Sequence, residues 1–221
     1  MLKKVISYFV PVNVYRKQSS VSRTLEVTWA NGQLVLDSKN TNYSYGSLQR
    51  ILRKGLKNIG FSNVVKMENI LVLGVAGGSV IKTLVDEIGY KGKITGVEID
   101  AEVIAVANKW FALDKIPNLD IVLDDAFEFV LKTKEKYDLI IIDIFQDATM
   151  PAFVFERFFA DRIGFLLNNG GFILFNTMTL NGAHDARNEE YIQGFDKNAF
   201  EIRLIPRVED HNELIVIRKL G

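Results

Sequence analysis

Three carboxylates and a glycine-rich turn recur at intervals that suggest a nucleotide site. Ile70-Leu71-Val72-Leu73 is an apolar run that leads into Gly74-Val75-Ala76-Gly77-Gly78-Ser79. A short apolar run bounded by Gly is the pattern of a strand buried on both faces. Gly74, Gly77 and Gly78 let the backbone turn sharply and approach a flat ligand. The helix expected from about Ser79 would aim its first free N–H groups at that ligand. About 24 residues on, Val97-Glu98-Ile99-Asp100 ends a second apolar run. A βαβ nucleotide site places there the acid that accepts from ribose hydroxyls. Glu98 is the candidate, since a strand-end carboxylate is costly without a partner. Asp100 reads equally well as a helix N-cap. Asp124-Asp125-Ala126 repeats the pattern after a third run, again as cap or ligand contact. Asp143 closes a fourth, Leu139-Ile140-Ile141-Ile142, at the edge where open α/β sheets bind ligands.

The elements that must carry these residues follow from periodicity. From about Val64, apolar runs at 70–74, 94–98, 119–123, 138–142 and 171–176 alternate with helical patterns at 79–88, 101–111, 125–134 and 152–167. That alternation predicts a parallel sheet covered by helices. Asn168-Asn169-Gly170-Gly171 should stop the last of these helices and turn the chain into the fifth strand. A polar helix at about 188–198 then precedes two strands, Phe200–Ile205 and Leu214–Arg218, close enough to pair antiparallel. The front of the chain differs. Val5–Val10, Thr24–Trp29 and Gln33–Asp37 read as strands, with Asn31-Gly32 as a hairpin turn. A helix at 45–57 follows, with Leu48, Ile51, Leu52 and Leu56 on one stripe. The expected organisation is a small β unit with its connecting helix at 1–62 and a nucleotide-binding domain at 63–221.

Composition narrows the function classes. The 221 residues carry 27 Lys+Arg and 27 Asp+Glu, a formal net charge of zero, which gives no electrostatic footprint for nucleic acid. The absence of Cys excludes disulfides and thiolate chemistry, and no metal site is expected. The first residues read as a strand rather than a leader, and no apolar stretch reaches membrane-spanning length. The expectation is a cytoplasmic protein acting on a small molecule, with neither membrane nor nucleic-acid partner. The apolar strands at the front are too few to bury themselves, so the front unit, about residues 1–60, is expected to close one side of the substrate pocket and to help form a homodimer. The two His, His184 and His211, should sit in exposed loops. Phe153, Phe155, Phe158 and Phe159 should be core, and Arg50, Arg53, Lys54 and Lys57 the wet face of their helix. Asn176-Thr177-Met178 could line a substrate mouth.

These motifs resemble the seven-stranded S-adenosylmethionine-dependent methyltransferase fold, a Rossmann-like α/β architecture, and within it the spermidine synthase branch. The matching pieces are Leu71-Val72-Leu73-Gly74…Gly78, Val97-Glu98-Ile99-Asp100, Asp124-Asp125-Ala126 and Tyr137-Asp138-Leu139-Ile140-Ile141-Ile142-Asp143. The resemblance implies S-adenosylmethionine, its decarboxylated form or methylthioadenosine as ligand. It implies that Gly74, Ala76, Gly77 and Gly78 shape the turn beside the nucleoside and its tail. Glu98 would hold the ribose, Ile99 would lie on the adenine, and Asp125 with the Ala126 backbone would meet its edge. Asp143 would serve both cofactor and chemistry.

The pattern departs from that branch where a polyamine would bind. A diamine acceptor needs several carboxylates. The acidic position of the glycine turn is Gly77 here, and Gln146 stands in place of a later acid, with Asp147 one residue late. One acid of three, Asp143, stays in register, with Asp147 as a second catalytic candidate. The expected activity is therefore methyl transfer to a small molecule, with polyamine aminopropyl transfer as the alternative and a non-catalytic nucleoside-binding partner domain as a second alternative.

Overall fold

The computed structural model describes residues 2–38, 42–145, 149–209 and 211–221. The chain begins with α1 (Leu2–Ile6), followed by a four-stranded antiparallel sheet in the order β1 (Val12–Ser19), β2 (Arg23–Ala30), β3 (Gln33–Ser38), β4 (Asn42–Ser44). Helices α2 (Gly46–Ile59) and α3 (Phe61–Val64) lead into the second sheet.

That sheet has seven strands. In chain order they are β5 (Asn69–Leu73), β6 (Lys93–Glu98), β7 (Leu119–Leu123), β8 (Tyr137–Ile142), β9 (Leu167–Met178), β10 (Phe200–Val208) and β11 (Asn212–Lys219). Their spatial order is β10-β11-β9-β8-β5-β6-β7. Strands β9, β8, β5, β6 and β7 run parallel, and β11 runs antiparallel between β9 and β10. The connecting helices are α4 (Ser79–Lys82), α5 (Ala101–Phe111), α6 (Ala126–Lys132), α7 (Arg157–Leu166) and α8 (Gly182–Gln193). Strand β5 is flanked by β6 on one side and β8 on the other, so the chain order reverses beside it. A crevice forms at the carboxyl ends of such strands.

Side-chain alternation explains the central strands. Ile70 and Val72 of β5 enter one buried cluster with Ile51, Leu52 and Leu56 of α2. Leu71 and Leu73 enter another, with Phe159 and Ile163 of α7. Both faces are covered, so the strand reads as an unbroken apolar run. The small sheet buries Leu25, Val27 and Leu36 against Val103, Val106 and Phe111 of α5. The α2 stripe packs into the large sheet's core, not onto the small sheet.

Several sequence expectations are corrected. Residues 5–10 are not a strand: α1 ends at Ile6 and a turn follows. Pro11 lacks a ladder donor, and Ser7 is engaged in closing the β2–β3 hairpin turn, its carbonyl accepting from Asn31 N–H and its hydroxyl from Gly32 N–H. The front strand is instead Val12–Ser19, with Val12 and Val14 part-buried and the alternation shifted at an irregularity near Val14 so that Tyr15, Lys17 and Ser19 continue it. Asn168–Gly171 does not stop a helix. It lies inside β9, with Gly170 at φ 77° and a register shift opposite β8. The helix expected over 152–167 is a 3-10 turn at Ala152–Phe155 followed by α7. The polar helix is Gly182–Gln193, begun earlier by Asn181, whose side chain accepts from the Ala183 and His184 N–H groups. The helix expected over 79–88 is α4 followed by a π-helical turn, Thr83–Glu87. Phe158 is exposed rather than core. The Asn31-Gly32 turn holds, with φ of 49° and 76°.

Gly55 fixes how closely α2 approaches the sheet. A Cβ there would lie 2.4 Å from Leu174 Cδ1, in the core. Gly55→Ala would gain about 1 kcal/mol of helix propensity and lose about 1–3 kcal/mol to overpacking. The expected outcome is a lower urea midpoint with an unchanged slope; a raised midpoint would mean that α2 shifts freely.

Candidate active site

The carboxyl ends of β5, β6, β7, β8 and β9 open onto a cavity of about 660 Å³. Its backbone framework is short-range. Gly74 N–H donates to the Val97 carbonyl, Asp143 N–H to the Leu73 carbonyl, and Asp124 N–H to the Glu98 carbonyl. Each strand end is thereby tied to its neighbour. Gly74 turns at φ +89°, and a Cβ there would sit 2.2 Å from the Asp143 carbonyl oxygen. Only glycine fits both the dihedral and the gap.

Glu98 holds the turn that follows. Its Oε2 accepts from the Val75 and Ala76 N–H groups, each at 3.1 Å, and its Oε1 from the Asp100 N–H at 3.1 Å. Burial pushes its carboxyl above the ordinary value, against the opposing pull of those three donors. Ile99 projects outward, 48% exposed, on the cavity wall. Asp100 turns back into the protein as the N-cap of α5, accepting from Glu102 N–H. It also accepts from the Ser19 and Ser22 hydroxyls at 2.5 and 2.6 Å, which draws the β1–β2 turn onto the cavity, where Val21 and Ser22 form part of its wall.

Asp125 caps α6 through Oδ1, which accepts from Phe127 and Glu128 N–H groups at 2.8 and 3.3 Å. The Ala126 N–H has no acceptor among the described residues, and Ala126 lines the cavity. Cap and ligand contact are therefore compatible here.

Asp143 lies at the centre of the wall, and its Oδ1 accepts from Asn176 Nδ2 at 2.8 Å. Asn176 is wholly buried, and its own Oδ1 accepts from Asn212 Nδ2 at 2.9 Å. Burial pushes the Asp143 carboxyl up to about 6; the Asn176 bond pulls it down and the Glu98 charge raises it further.

The structure brings Gly74, Ala76, Glu98, Ile99, Asp125, Ala126 and Asp143 to one cavity. Gly77 and Gly78 are not on its wall. They are buried behind the turn, where a Cβ would meet Ser44 and Leu113. Asp147 lies outside the described residues. Asn176 and Met178 line the cavity, whereas the Thr177 hydroxyl donates to the Glu213 carbonyl. His184 sits in α8, and His211 is exposed on the cavity rim rather than only in solvent. The front unit forms one side of the cavity, as expected, through Ser47, Leu48 and Ile51 of α2 and Val21 and Ser22 of the β1–β2 turn; sequence reasoning did not single out these residues, and missed the Asn212–Asn176 chain. An Asn directly after an apolar strand is the one signal that could have found the last of these.

Asp143 titrates from an ordinary unfolded value of 3.8 to about 6 when folded. A raised acid favours the native state below its unfolded pKa, and that advantage is lost as pH rises through the folded value. Asp143→Asn should therefore gain on the parent protein between pH 4 and pH 6, by about 3 kcal/mol at most. Paired melts across that window check it; a constant difference would place the charge in a solvated setting.

Comparison with known proteins agrees with this geometry. The spermine/spermidine synthase domain family matches residues 50–203. A probable polyamine aminopropyl transferase of Bifidobacterium longum is 24% identical over 189 residues, covering 82% of this chain and 41% of the relative. The eEF1A lysine and N-terminal methyltransferase of Mus musculus is 26% identical over 158 residues, covering 66% of this chain and 22% of the relative. The chain thus spans under half the length of these curated relatives. The crystal structure of human methyltransferase-like protein 13 in complex with SAH superposes with a TM-score of 0.65 at 20% identity, covering 80% of this chain and 83% of that one. With the family match spanning most of the chain and the seven-stranded sheet in place, the protein belongs to the spermine/spermidine synthase domain family.

Proposed function

We propose that the chain is an S-adenosylmethionine-dependent transferase that methylates a small molecule. The observation that carries the choice of methyl transfer is the charge distribution of the cavity. Glu98, Asp124 and Asp125 line its β6–β7 side. Beyond Asp143, the described residues on the other side include Ser47, Leu48, Ile51, Phe153, Met178, Leu180, His211 and Asn212, and none of the described lining there is a carboxylate; Asp210 lies outside the described residues. A buried ammonium without a partner costs several kcal/mol, and a diamine brings two.

The nucleoside side fits an adenosyl thioether. Glu98 Oε1 retains acceptor capacity for a ribose hydroxyl, since a carboxylate offers about four lone-pair sites and the backbone uses three, two of them at Oε2. Ile99 offers an apolar face for a base, and the free Ala126 N–H offers a donor to a ring nitrogen. When bound, S-adenosylmethionine supplies a carbon made electrophilic by its sulfonium, which leaves as a neutral thioether. The chain then has to hold the acceptor in line with that carbon. Asp143, held in place by Asn176, accepts the acceptor's proton as the new bond forms.

Family membership and the name of the Bifidobacterium relative support the second reading, aminopropyl transfer to a polyamine. Asp147, whose charge bears on that reading, lies outside the described residues. The homodimer and the cytoplasmic location remain proposals; among the described residues no helix is long and apolar enough to cross a membrane.

Titration calorimetry with S-adenosylhomocysteine should show binding, and Glu98→Ala should weaken it about tenfold or more, as expected for lost hydrogen bonds to a charged group. No binding at millimolar ligand removes the cofactor assignment. Putrescine with decarboxylated S-adenosylmethionine should give no appreciable product. Robust spermidine formation would replace the first reading by the second. Asp143→Asn should abolish transfer, and kcat/KM of the parent should rise with pH through about 6 as the carboxylate ionises.

A further inference from the structure

Strand β10 is one edge of the seven-stranded sheet and pairs, among the described residues, only with β11. The phase of its backbone is set at its start. Leu220 N–H donates to the Ala199 carbonyl at 2.8 Å, in the register that pairs Phe200 with Lys219. Alternate residues of an antiparallel strand turn their backbone groups to opposite sides. Glu201 and Arg203 therefore bond β11, and Phe200, Ile202 and Leu204 turn theirs to the open edge. The Phe200 N–H already does so, donating to the Asp196 carbonyl at 2.9 Å. The Ile202 and Leu204 backbone groups and the Phe200 carbonyl form a template for another strand.

The side chains sort by the same alternation. Phe200, Ile202 and Leu204 share one face, where they line a groove of about 440 Å³ with Ile192 and Lys197. Leu204 is 47% exposed. Glu201 and Arg203 are exposed on the other face and pair with each other at 3.1 Å. The run Phe200-Glu201-Ile202-Arg203-Leu204 is complementary to its own reverse. Laid antiparallel about a two-fold axis at Ile202, each Glu201 faces an Arg203, each Phe200 a Leu204, and Ile202 its counterpart. The two Ile202 residues exchange both backbone bonds, and each Leu204 N–H meets the opposite Phe200 carbonyl. The Glu–Arg pairs then fall at non-hydrogen-bonded positions, where facing side chains come closest. The other edge, β7, has no such match: about Ile121, Asp120 would face Val122.

We propose that β10 is an interface for a second copy of this chain, formed by antiparallel pairing of two β10 strands about Ile202. The pairing is isologous and joins the two seven-stranded sheets into one. The occupant is a second copy because charge, apolar shape and open backbone groups all match the strand's own reverse in one register. Each Glu201 and Arg203 gains a second opposite charge, which turns two exposed pairs into one network. The inference stands apart from the transferase reading, since β10 contributes no residue to the cavity.

Sedimentation equilibrium of the full chain should show a monomer–dimer equilibrium. Arg203→Glu sets two like-charged pairs across the axis and should raise the dimer Kd about tenfold or more. Adding Glu201→Arg to it reverses both pairs and should restore the parent value. The chain has no Cys, so Ile202→Cys introduces a single thiol. The axis places that thiol opposite its counterpart, with Cα atoms about 5.5 Å apart, within disulfide reach. Oxidation with diamide should give a covalent dimer from Ile202→Cys and none from Leu204→Cys. A monomer at millimolar concentration, a dimer indifferent to Arg203→Glu, or cross-linking at position 204 but not 202 would each overturn the assignment. Should the Arg203→Glu chain fail to fold, the two cysteine variants decide alone.

Discussion

One buried carboxylate organises the ligand edge. Glu98 ends β6 and accepts three backbone N–H groups, two from the turn after β5 and one from its own chain two residues on. Such donors around a fixed anion form a concave site. Without Glu98, the Val75 and Ala76 amides would point at nothing in a part-buried cavity, and the turn would lose the one group that sets its path. The turn's own requirement is steric. Gly74 presses against the Asp143 carbonyl, and Ala76 also adopts a positive φ, 48°. An alanine in that region carries a local strain of order 1–3 kcal/mol, and the paired N–H bonds to Glu98 offset it.

The three residues Glu98, Ile99 and Asp100 divide their duties because extended backbone alternates its side chains. Glu98 reaches sideways to the turn, Ile99 faces the cavity, and Asp100 returns to the protein. Asp100 in turn couples the two sheets. The oxygen that accepts from the Ser19 and Ser22 hydroxyls belongs to the side chain that caps α5, so the same group that starts a helix of the large domain seats the β1–β2 turn. The apolar contact of Leu25, Val27 and Leu36 with Val103, Val106 and Phe111 lies behind it and makes the arrangement wide rather than point-like. The small sheet is thus a wall of the cavity, held by packing and by one multiply bonded acid.

The alternating strands and helices were legible because each central strand is buried on both faces and each helix carries one apolar stripe. The site acids were legible because a strand's carboxyl end is a fixed offset from a glycine or from a cap. What sequence could not show has physical causes. Val5–Val10 is apolar without alternation, and such a run fits a helix end and a turn as well as a strand. The 168–171 segment looks like a stop signal, yet the sheet absorbs it as an irregularity inside β9, a tertiary choice that overrides the local one. Leu48 and Ile51 read as part of one helix stripe with Leu52 and Leu56; that the cavity shares the stripe with the core depends on how α2 crosses the sheet. Gly77 and Gly78 marked the right turn but face the protein, because a turn has an inside and an outside that composition does not distinguish.

Asp143 shows how the two sides of the cavity depend on each other. Its side-chain partner among the described residues is the neutral Asn176, itself fixed by the neutral Asn212. Amides orient a carboxylate without compensating its charge, so burial dominates and the acid stays protonated to a higher pH than in water. A lysine or arginine in place of either asparagine would have held the carboxylate ionised and weakened it as a base. More acids on the wall would have raised it further and attracted cations. Among the described residues the wall has neither: one carboxyl with a raised pKa stands between an acidic side, at the ends of β6 and β7, and a largely apolar side.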